Sequence, residues 1–65
     1  MFKVRIRVAV IRGNRSSTET FETMVDNTTW RDLSSSGSRD PILKAWCNQF
    51  FPGADRIELR QQQKI

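Results

Sequence analysis

Strict alternation of side-chain character near the start of the chain constrains its fold more than any other feature. Apolar residues occupy the even positions from 2 to 10, and the odd positions include Lys3, Arg5 and Arg7. Because successive side chains of a β-strand point to opposite faces, the pattern predicts a strand over about residues 2–11. One face of that strand is apolar and belongs on a core, and the other is cationic and belongs in water or on a partner.

The length and the aromatic content predict one small domain. The chain has 65 residues, of which 37% are hydrophobic, and it includes four Phe and two Trp that bury a large area each. A core of this size supports a folding free energy on the order of 3–5 kcal/mol. We expect a single α+β domain over residues 1–61 and a frayed polar tail over residues 62–65.

Several classes of protein are disfavoured by composition. A single cysteine allows no internal disulfide, and the lack of histidine disfavours the common zinc sites. No apolar run reaches the roughly 20 residues that a membrane span needs, and basic residues interrupt any signal-peptide core. We therefore expect a cytoplasmic protein without a cofactor, a metal or a membrane. The net charge of +4 favours acidic partners.

A second strand-like segment, residues 18–25, is rich in β-branched and aromatic side chains. The turn-forming pair Gly13-Asn14 lies between the two segments, and this arrangement predicts a β-hairpin. A two-residue loop at this pair places Arg5 opposite Glu22, whereas a loop two residues longer places Arg7 there. Both loops keep the same side chains on the same faces, so the faces are better determined than the register.

Two helices are expected in the middle of the chain. Thr29 and Asp32 form a weak capping box at the start of a short first helix. A flexible, serine-rich loop covers residues 33–39. Asp40 precedes Pro41, and we expect Asp40 to cap a longer second helix with proline at its first position. That helix carries an apolar stripe of Ile42, Leu43, Trp46, Cys47, Phe50 and Phe51.

The order of elements predicts how the sheet is assembled. Pro52-Gly53 ends the second helix, and a third strand follows with Ile57 and Leu59 facing inward. We expect a three-stranded mixed sheet with strand order 2-1-3, in which the third strand runs parallel to the first through a right-handed crossover. One amphipathic helix packs on this sheet. The ββαβ order resembles a minimal β-grasp, a likeness of architecture that carries no function.

The predicted topology brings basic side chains from both ends of the chain to one sheet face. Glu22 and Glu58 lie on that face and neutralise part of it. A cationic strand can serve solubility and edge protection alone, but three consecutive outward basic residues favour a docking face for an anionic surface. Two further arginines lie at the hairpin tip. The candidate partner-binding residues are Lys3, Arg5, Arg7, Arg12, Arg15, Arg56 and Arg60.

Two classes of partner fit this face. Nucleic acid would be bound through its phosphate backbone, as a duplex rather than as a specific single strand. The expected face has no aromatic side chain on which single-stranded bases could stack, and Met24 is its only large apolar residue. We favour an acidic protein. The helix stripe adds a possible contact patch for a partner or a second copy at Leu43, Cys47 and Phe51, unless Trp30 or the loop covers it.

An enzymatic function has little support in the sequence. There is no histidine to act as a base, and Cys47 lies on an apolar stripe where a thiol is usually buried and inert. The segment from Arg12 to Arg15 has too few glycines for a phosphate-binding loop. We therefore expect no catalytic residues. The composition suits a non-enzymatic regulatory or inhibitory protein of a phage or another mobile element.

Overall fold

The computed structural model describes residues 1–65 and has the α+β architecture that the sequence predicts. Its sheet has the order β2-β1-β3, so the N-terminal strand is central. Two helices and the loops around them cover one face of the sheet. The elements are β1 (Phe2–Arg12), β2 (Arg15–Val25), α1 (Asn27–Leu33), α2 (Arg39–Phe50) and β3 (Arg56–Lys64).

The hairpin of β1 and β2 has the register of a two-residue loop. Arg5 pairs with Glu22 and Ile6 pairs with Phe21, which selects the shorter of the two loops considered. Gly13 has a φ of 60° and is the only residue of the turn with a positive φ. This is the conformation that a type II′ turn requires at its first central position, and glycine adopts it without steric cost.

β3 runs antiparallel to β1, so the predicted mixed sheet with a parallel third strand is wrong. Val4 pairs with Lys64 at the far end of the strand. The 12 residues of α2 span about 18 Å at 1.5 Å per residue, and α2 and the segment 51–55 together carry the chain to the hairpin end of the sheet. There Asp55 donates its N–H to the carbonyl oxygen of Ile11 at 2.8 Å, and β3 runs back along β1. The likeness to a β-grasp, which was based on the order of the elements, is not confirmed.

A β-bulge interrupts the pairing of β1 with β3. Arg7 pairs with Gln61, whereas the next residue, Val8, pairs with Leu59. Arg60 is therefore the extra residue of β3. Because side chains alternate along a strand, one extra residue exchanges the faces of everything beyond it. Gln61 consequently lies on the cationic face, although Leu59, two residues earlier, lies on the core face.

The segment 62–65, predicted to fray, instead continues the sheet, because β3 ends at Lys64. The bulge turns the even-numbered side chains of this segment, Gln62 and Lys64, toward the helices, where they contact other side chains. Gln62 donates its amide N–H to Ser34 Oγ at 3.4 Å. The Lys64 ammonium lies 4.8 Å from the ring centroid of Phe2, a cation–π distance. Backbone pairing together with these contacts orders Gln62, Gln63 and Lys64, none of which is apolar.

Both helix starts differ from the sequence prediction. Asp26, not Thr29, caps α1, and its Oδ1 accepts the N–H of Thr29 at 2.7 Å. Either residue has a side-chain oxygen suited to capping, and the helix begins after the earlier of the two. α2 begins at Arg39 after Ser38, which makes no side-chain capping bond, so Asp40 lies in the first turn. Only Ser34–Ser38 separate the helices, and the predicted flexibility of this loop stays a prediction.

The core lies between the sheet and the helices and contains the aromatic residues that the pattern placed there. Phe21 stacks on Phe50 at 4.5 Å and meets Trp46 edge-on at 5.4 Å. Offset and edge-on arrangements of this kind are the favoured ones for aromatic pairs. The buried residues of the cluster are Val4, Ile6, Val8, Val10, Val25, Leu33, Leu43, Trp46, Cys47 and Ile57.

The apolar patch predicted on α2 is largely covered. Leu43 and Cys47 are buried, and only Phe51 of the three residues is half-exposed. The segment after α2 folds back over the stripe, where the Cys47 thiol donates to the carbonyl oxygen of Ala54 at 3.7 Å. Leu43 and Cys47 therefore expose little surface, and contact with a second copy stays a prediction.

Shortening a side chain of the core should lower the free energy of unfolding substantially. We expect Ile6→Ala to lower the free energy of unfolding by about 3 kcal/mol, because Ile6 is fully buried and its loss leaves a cavity. Urea unfolding followed by circular dichroism measures the change. The matched control is Met24→Ala, which removes an exposed apolar side chain and should change stability by less than about 0.5 kcal/mol. Equal effects of the two substitutions would contradict the assigned core.

Candidate functional site

The sheet face turned away from the helices, called the open face, is the candidate binding surface. No helix or loop packs on it, because the core cluster and both helices lie on the other side. Alternation along the paired strands determines which side chains it carries. From β1 these are Lys3, Arg5, Arg7, Ala9 and Ile11; from β2, Ser16, Thr18, Thr20, Glu22 and Met24; and from β3, Arg56, Glu58, Gln61 and Gln63, with Arg60 at the bulge.

Five of the seven predicted partner-binding residues come together on the open face. Arg56 is paired with Ile11 in the sheet, and Arg60 reaches Glu58 from the bulge, so both join the basic side chains of β1. Basic residues from the two ends of the chain therefore share one surface, although more than 40 residues separate them in sequence. The five residues are Lys3, Arg5, Arg7, Arg56 and Arg60.

Arg12 and Arg15 do not belong to the open face. They are paired with each other beside the hairpin turn, and the register puts both on the helix side of the sheet. Neither makes an ion pair, and both are exposed. Like charges placed opposite each other destabilise a hairpin. Because the two arginines lie on the other side of the sheet, the hairpin tip is a cationic site separate from the open face.

Glu22 neutralises one end of the open face. Its carboxylate accepts hydrogen bonds from Arg5 Nη2 at 3.1 Å and Arg5 Nε at 3.3 Å, and it lies 3.6 Å from the Lys3 ammonium. The hydrogen bond from Arg5, with a smaller effect of Lys3, lowers the pKa of Glu22 below its ordinary value. The carboxylate is therefore ionised at neutral pH, and it holds the Arg5 guanidinium in a fixed orientation.

Glu58 has the same role on β3. Its two carboxylate oxygens lie 3.3 Å from Arg56 Nε and 3.1 Å from Arg60 Nη2. Hydrogen bonds from Arg56 and then from Arg60 lower the pKa of Glu58. Four of the five cations on the open face are thus tied in pairs to a glutamate.

Arg7 is the one cation of the open face that has no acidic partner. It borders a shallow hollow of about 160 Å³ between the three strands. Every side chain of this hollow has polar groups that can form hydrogen bonds, and none is acidic or apolar. This cavity is called the Arg7 hollow, and it is lined by Arg5, Arg7, Thr20, Gln61 and Gln63.

Three lining residues were missed in the sequence. Thr20 was within reach of the hairpin register, which pairs it with Arg7. Gln61 and Gln63 were not, because only the bulge at Arg60 turns them onto the open face. A regular strand would have given these two positions to the core side, and no residue pattern marks the bulge.

Aromatic side chains are absent from the open face. All four Phe and both Trp are in the core cluster or pack against it. Met24, which is 51% exposed and paired with Lys3, is the large apolar residue that β2 contributes to this face, and β1 contributes Ile11. A surface without rings offers no platform on which unpaired bases can stack.

No set of three cysteine, aspartate or glutamate side chains lies close enough together to hold a metal ion. Cys47 is buried and unpaired. The longest helix has 12 residues, and neither helix combines the length and the hydropathy that a bilayer-spanning segment needs.

Comparison of the chain with protein families, with curated proteins and with solved structures found no match.

The protein should lose stability in acid. The lowered pKa values of Glu22 and Glu58 mean that the folded state binds fewer protons than the unfolded state. The resulting stabilisation is present above the ordinary glutamate pKa of about 4.5 and is lost as the pH falls through the lowered values. Thermal melts between pH 7 and pH 3 measure this loss. The variant E22Q/E58Q should show a smaller fall of Tm over this range, and an unchanged fall would contradict the assigned ion pairs.

Proposed function

We propose that the protein is a non-enzymatic interaction domain that docks through its open face onto an acidic surface of another protein. The main support is the position of the basic residues of β1 and β3 on one sheet face that no other part of the chain covers. Arginine predominates there, and its planar guanidinium binds carboxylates in two-point geometry. A protein that covers an acidic surface of its partner can regulate or inhibit that partner. We propose this role for the chain.

The charge pattern of the open face favours a protein over nucleic acid. Glu22 and Glu58 each balance one of the two cations beside them, so the open face keeps a net charge of +3, and Arg7 is its only cation without an acidic partner. A nucleic-acid backbone carries closely spaced negative charges and is bound by several unpaired cations at once. A nucleic-acid backbone that lay across the open face would bring its phosphates near the negative charges of Glu22 and Glu58. An acidic protein surface has separate carboxylates that can approach Arg7 and avoid Glu22 and Glu58.

The paired arginines also contribute to docking. Arg5 and Arg60 are held by their glutamates and keep about half of their side-chain surface exposed, 49% and 52%. A guanidinium that is already oriented loses less side-chain entropy when a partner binds. Exposed charge pairs add little to folding stability, and complementary charge acts mainly on the rate and specificity of association. The ion pairs therefore serve binding more than folding.

The hairpin tip supports a second candidate function, binding of duplex nucleic acid. Arg12 and Arg15 face each other without an acidic partner at the end of a two-stranded ribbon. They border a hollow of about 290 Å³ together with Ser16 and Ser17, whose hydroxyl groups suit phosphate oxygens. A β-ribbon can enter the major groove of a duplex. Glu19 lies close by and accepts a bond from Ser17 at 3.5 Å, which weakens the local positive field.

Charge reversal at Arg7 should abolish docking. Immobilised wild-type protein, Arg7→Glu and Lys44→Glu are exposed to nuclease-treated lysate of the source cells, and the captured proteins are identified by mass spectrometry. Lys44 is an exposed residue of α2, so Lys44→Glu changes the net charge equally without touching the open face. Wild type and Lys44→Glu should capture the same acidic protein. Arg7→Glu should lose at least about tenfold of it, because a hydrogen bond to a charged group contributes about 1.5–3 kcal/mol.

Equal capture by all three proteins would contradict the proposed docking surface. Random duplex DNA, titrated at about 50 mM and 200 mM salt, gives the comparison with the second candidate. Tight, salt-dependent binding that is lost in R12Q/R15Q and kept in Arg7→Glu would favour nucleic acid at the hairpin tip. Circular dichroism of each variant checks that the fold is retained.

A further inference from the structure

The Arg7 hollow has the composition of a binding site for one small anionic group. Its lining offers the guanidinium N–H groups of Arg7 and the carboxamide N–H groups of Gln61 and Gln63 as donors, and the Thr20 hydroxyl as a donor or an acceptor. None of these four side chains makes a side-chain hydrogen bond within the protein. The donors converge from three adjacent strands, and their partners have to come from outside the chain.

The geometry points to a carboxylate subsite: we infer that the Arg7 hollow receives a single glutamate or aspartate side chain of the partner. This inference rests on the proposed docking function and names the group that the open face recognises. The Arg7 guanidinium forms the two-point bond with the carboxylate. Gln61, Gln63 and Thr20 direct further donors to its oxygens.

A carboxylate suits the hollow better than a phosphate monoester because of what flanks it. Glu22 is two residues from Thr20 along β2, and Glu58 is paired with Ala9, two residues from Arg7 along β1. Diagonal neighbours in a sheet are about 7–8 Å apart, so a negative group at Arg7 has an ionised glutamate on either side. A single negative charge meets less repulsion there than the nearly double charge of a phosphate monoester.

The face itself contains an arginine–carboxylate pair. Two nitrogens of the Arg5 guanidinium, Nη2 and Nε, donate to one oxygen of the Glu22 carboxylate, Oε2, at 3.1 Å and 3.3 Å. Arg7 has the same orientation on the same strand, two residues further on, but the residue opposite it is Thr20. A glutamate of the partner would supply at Arg7 the carboxylate that Glu22 supplies at Arg5.

The bulge at Arg60 makes the site. It turns Gln61 and Gln63 onto the open face beside Arg7 and Arg5. In a regular strand with Leu59 on the core face, Gln62 and Lys64 would occupy this surface, and the ammonium of Lys64 would replace neutral amide donors. A β-bulge that re-aims side chains next to a binding site is a common use of the motif.

Side-chain NMR signals test the inference directly. Acetate and inorganic phosphate are titrated separately into the wild-type protein while the Nε–H signal of Arg7 and the amide signals of Gln61 and Gln63 are recorded. We expect acetate to shift these three signals along one saturable curve, and phosphate to bind no more tightly than acetate. Gln49, an exposed amide on α2, is the internal control and should not follow that curve.

Two variants separate charge from geometry. Arg7→Lys keeps the positive charge and loses the planar guanidinium, and it should weaken acetate binding at Gln61 and Gln63 at least about fivefold. Lys44→Arg is the matched control and should leave the binding curve unchanged. A linear response shared with Gln49, tighter binding of phosphate, or equal acetate binding by Arg7→Lys would overturn the carboxylate subsite.

The two proposals can fail separately. If acetate saturates the hollow while Arg7→Glu captures the same proteins as wild type, the subsite stands and the docking function is wrong. If capture depends on Arg7 while the Gln61 and Gln63 signals do not respond to acetate, the docking function stands and the subsite is wrong.

Discussion

The structure depends on β1 being paired along both edges. Backbone pairing on both edges fixes the sheet face on which each side chain of β1 lies. The residues paired with it in β2 and β3 lie on the same faces, so the alternation of β1 extends over the whole sheet. Val4, Ile6 and Val8 are completely buried on one side, and Arg5 and Arg7 project on the other. The residues that make the core and the residues that make the open face are therefore interleaved, and neither set can change register without the other. Folding and binding share one constraint.

The balance of charge on the open face links its structure to its proposed role. Five basic residues on one small surface would repel one another, and two glutamates relieve that repulsion by bridging neighbours. The bridges keep the arginines oriented and leave Arg7 without a partner. Exposed ion pairs of this kind add little to stability, so their arrangement is better explained by recognition than by folding. Partial neutralisation suits the proposed docking function, because a uniformly cationic surface attracts any polyanion.

Much of the fold could be predicted because it is encoded locally. Alternation identified both faces of β1, and the turn pair Gly13-Asn14 left two hairpin registers, of which the structure has the one that places Arg5 opposite Glu22. The direction of β3 could not be predicted because it depends on how far α2 carries the chain along the sheet. The bulge at Arg60 was also beyond the sequence, because it reflects how two strands fit together in three dimensions. The candidate site was accordingly half predicted: its cations follow from alternation, whereas Gln61 and Gln63 follow from the bulge.

The pairing of β1 with β3 is the feature on which the open face depends, and nuclear Overhauser spectroscopy measures it directly. Because Ile11 and Lys3 accept N–H groups from residues flanking β3, the even residues of β1 form the non-hydrogen-bonded pairs, in which Hα atoms lie closest. The structure predicts Hα–Hα cross-peaks between Val10 and Ile57 and between Ile6 and Gln62. A cross-peak from Ile6 to Gln61 instead would mean that the bulge is absent, and a parallel pattern would mean that β3 runs the other way. Either result would contradict the account of the open face.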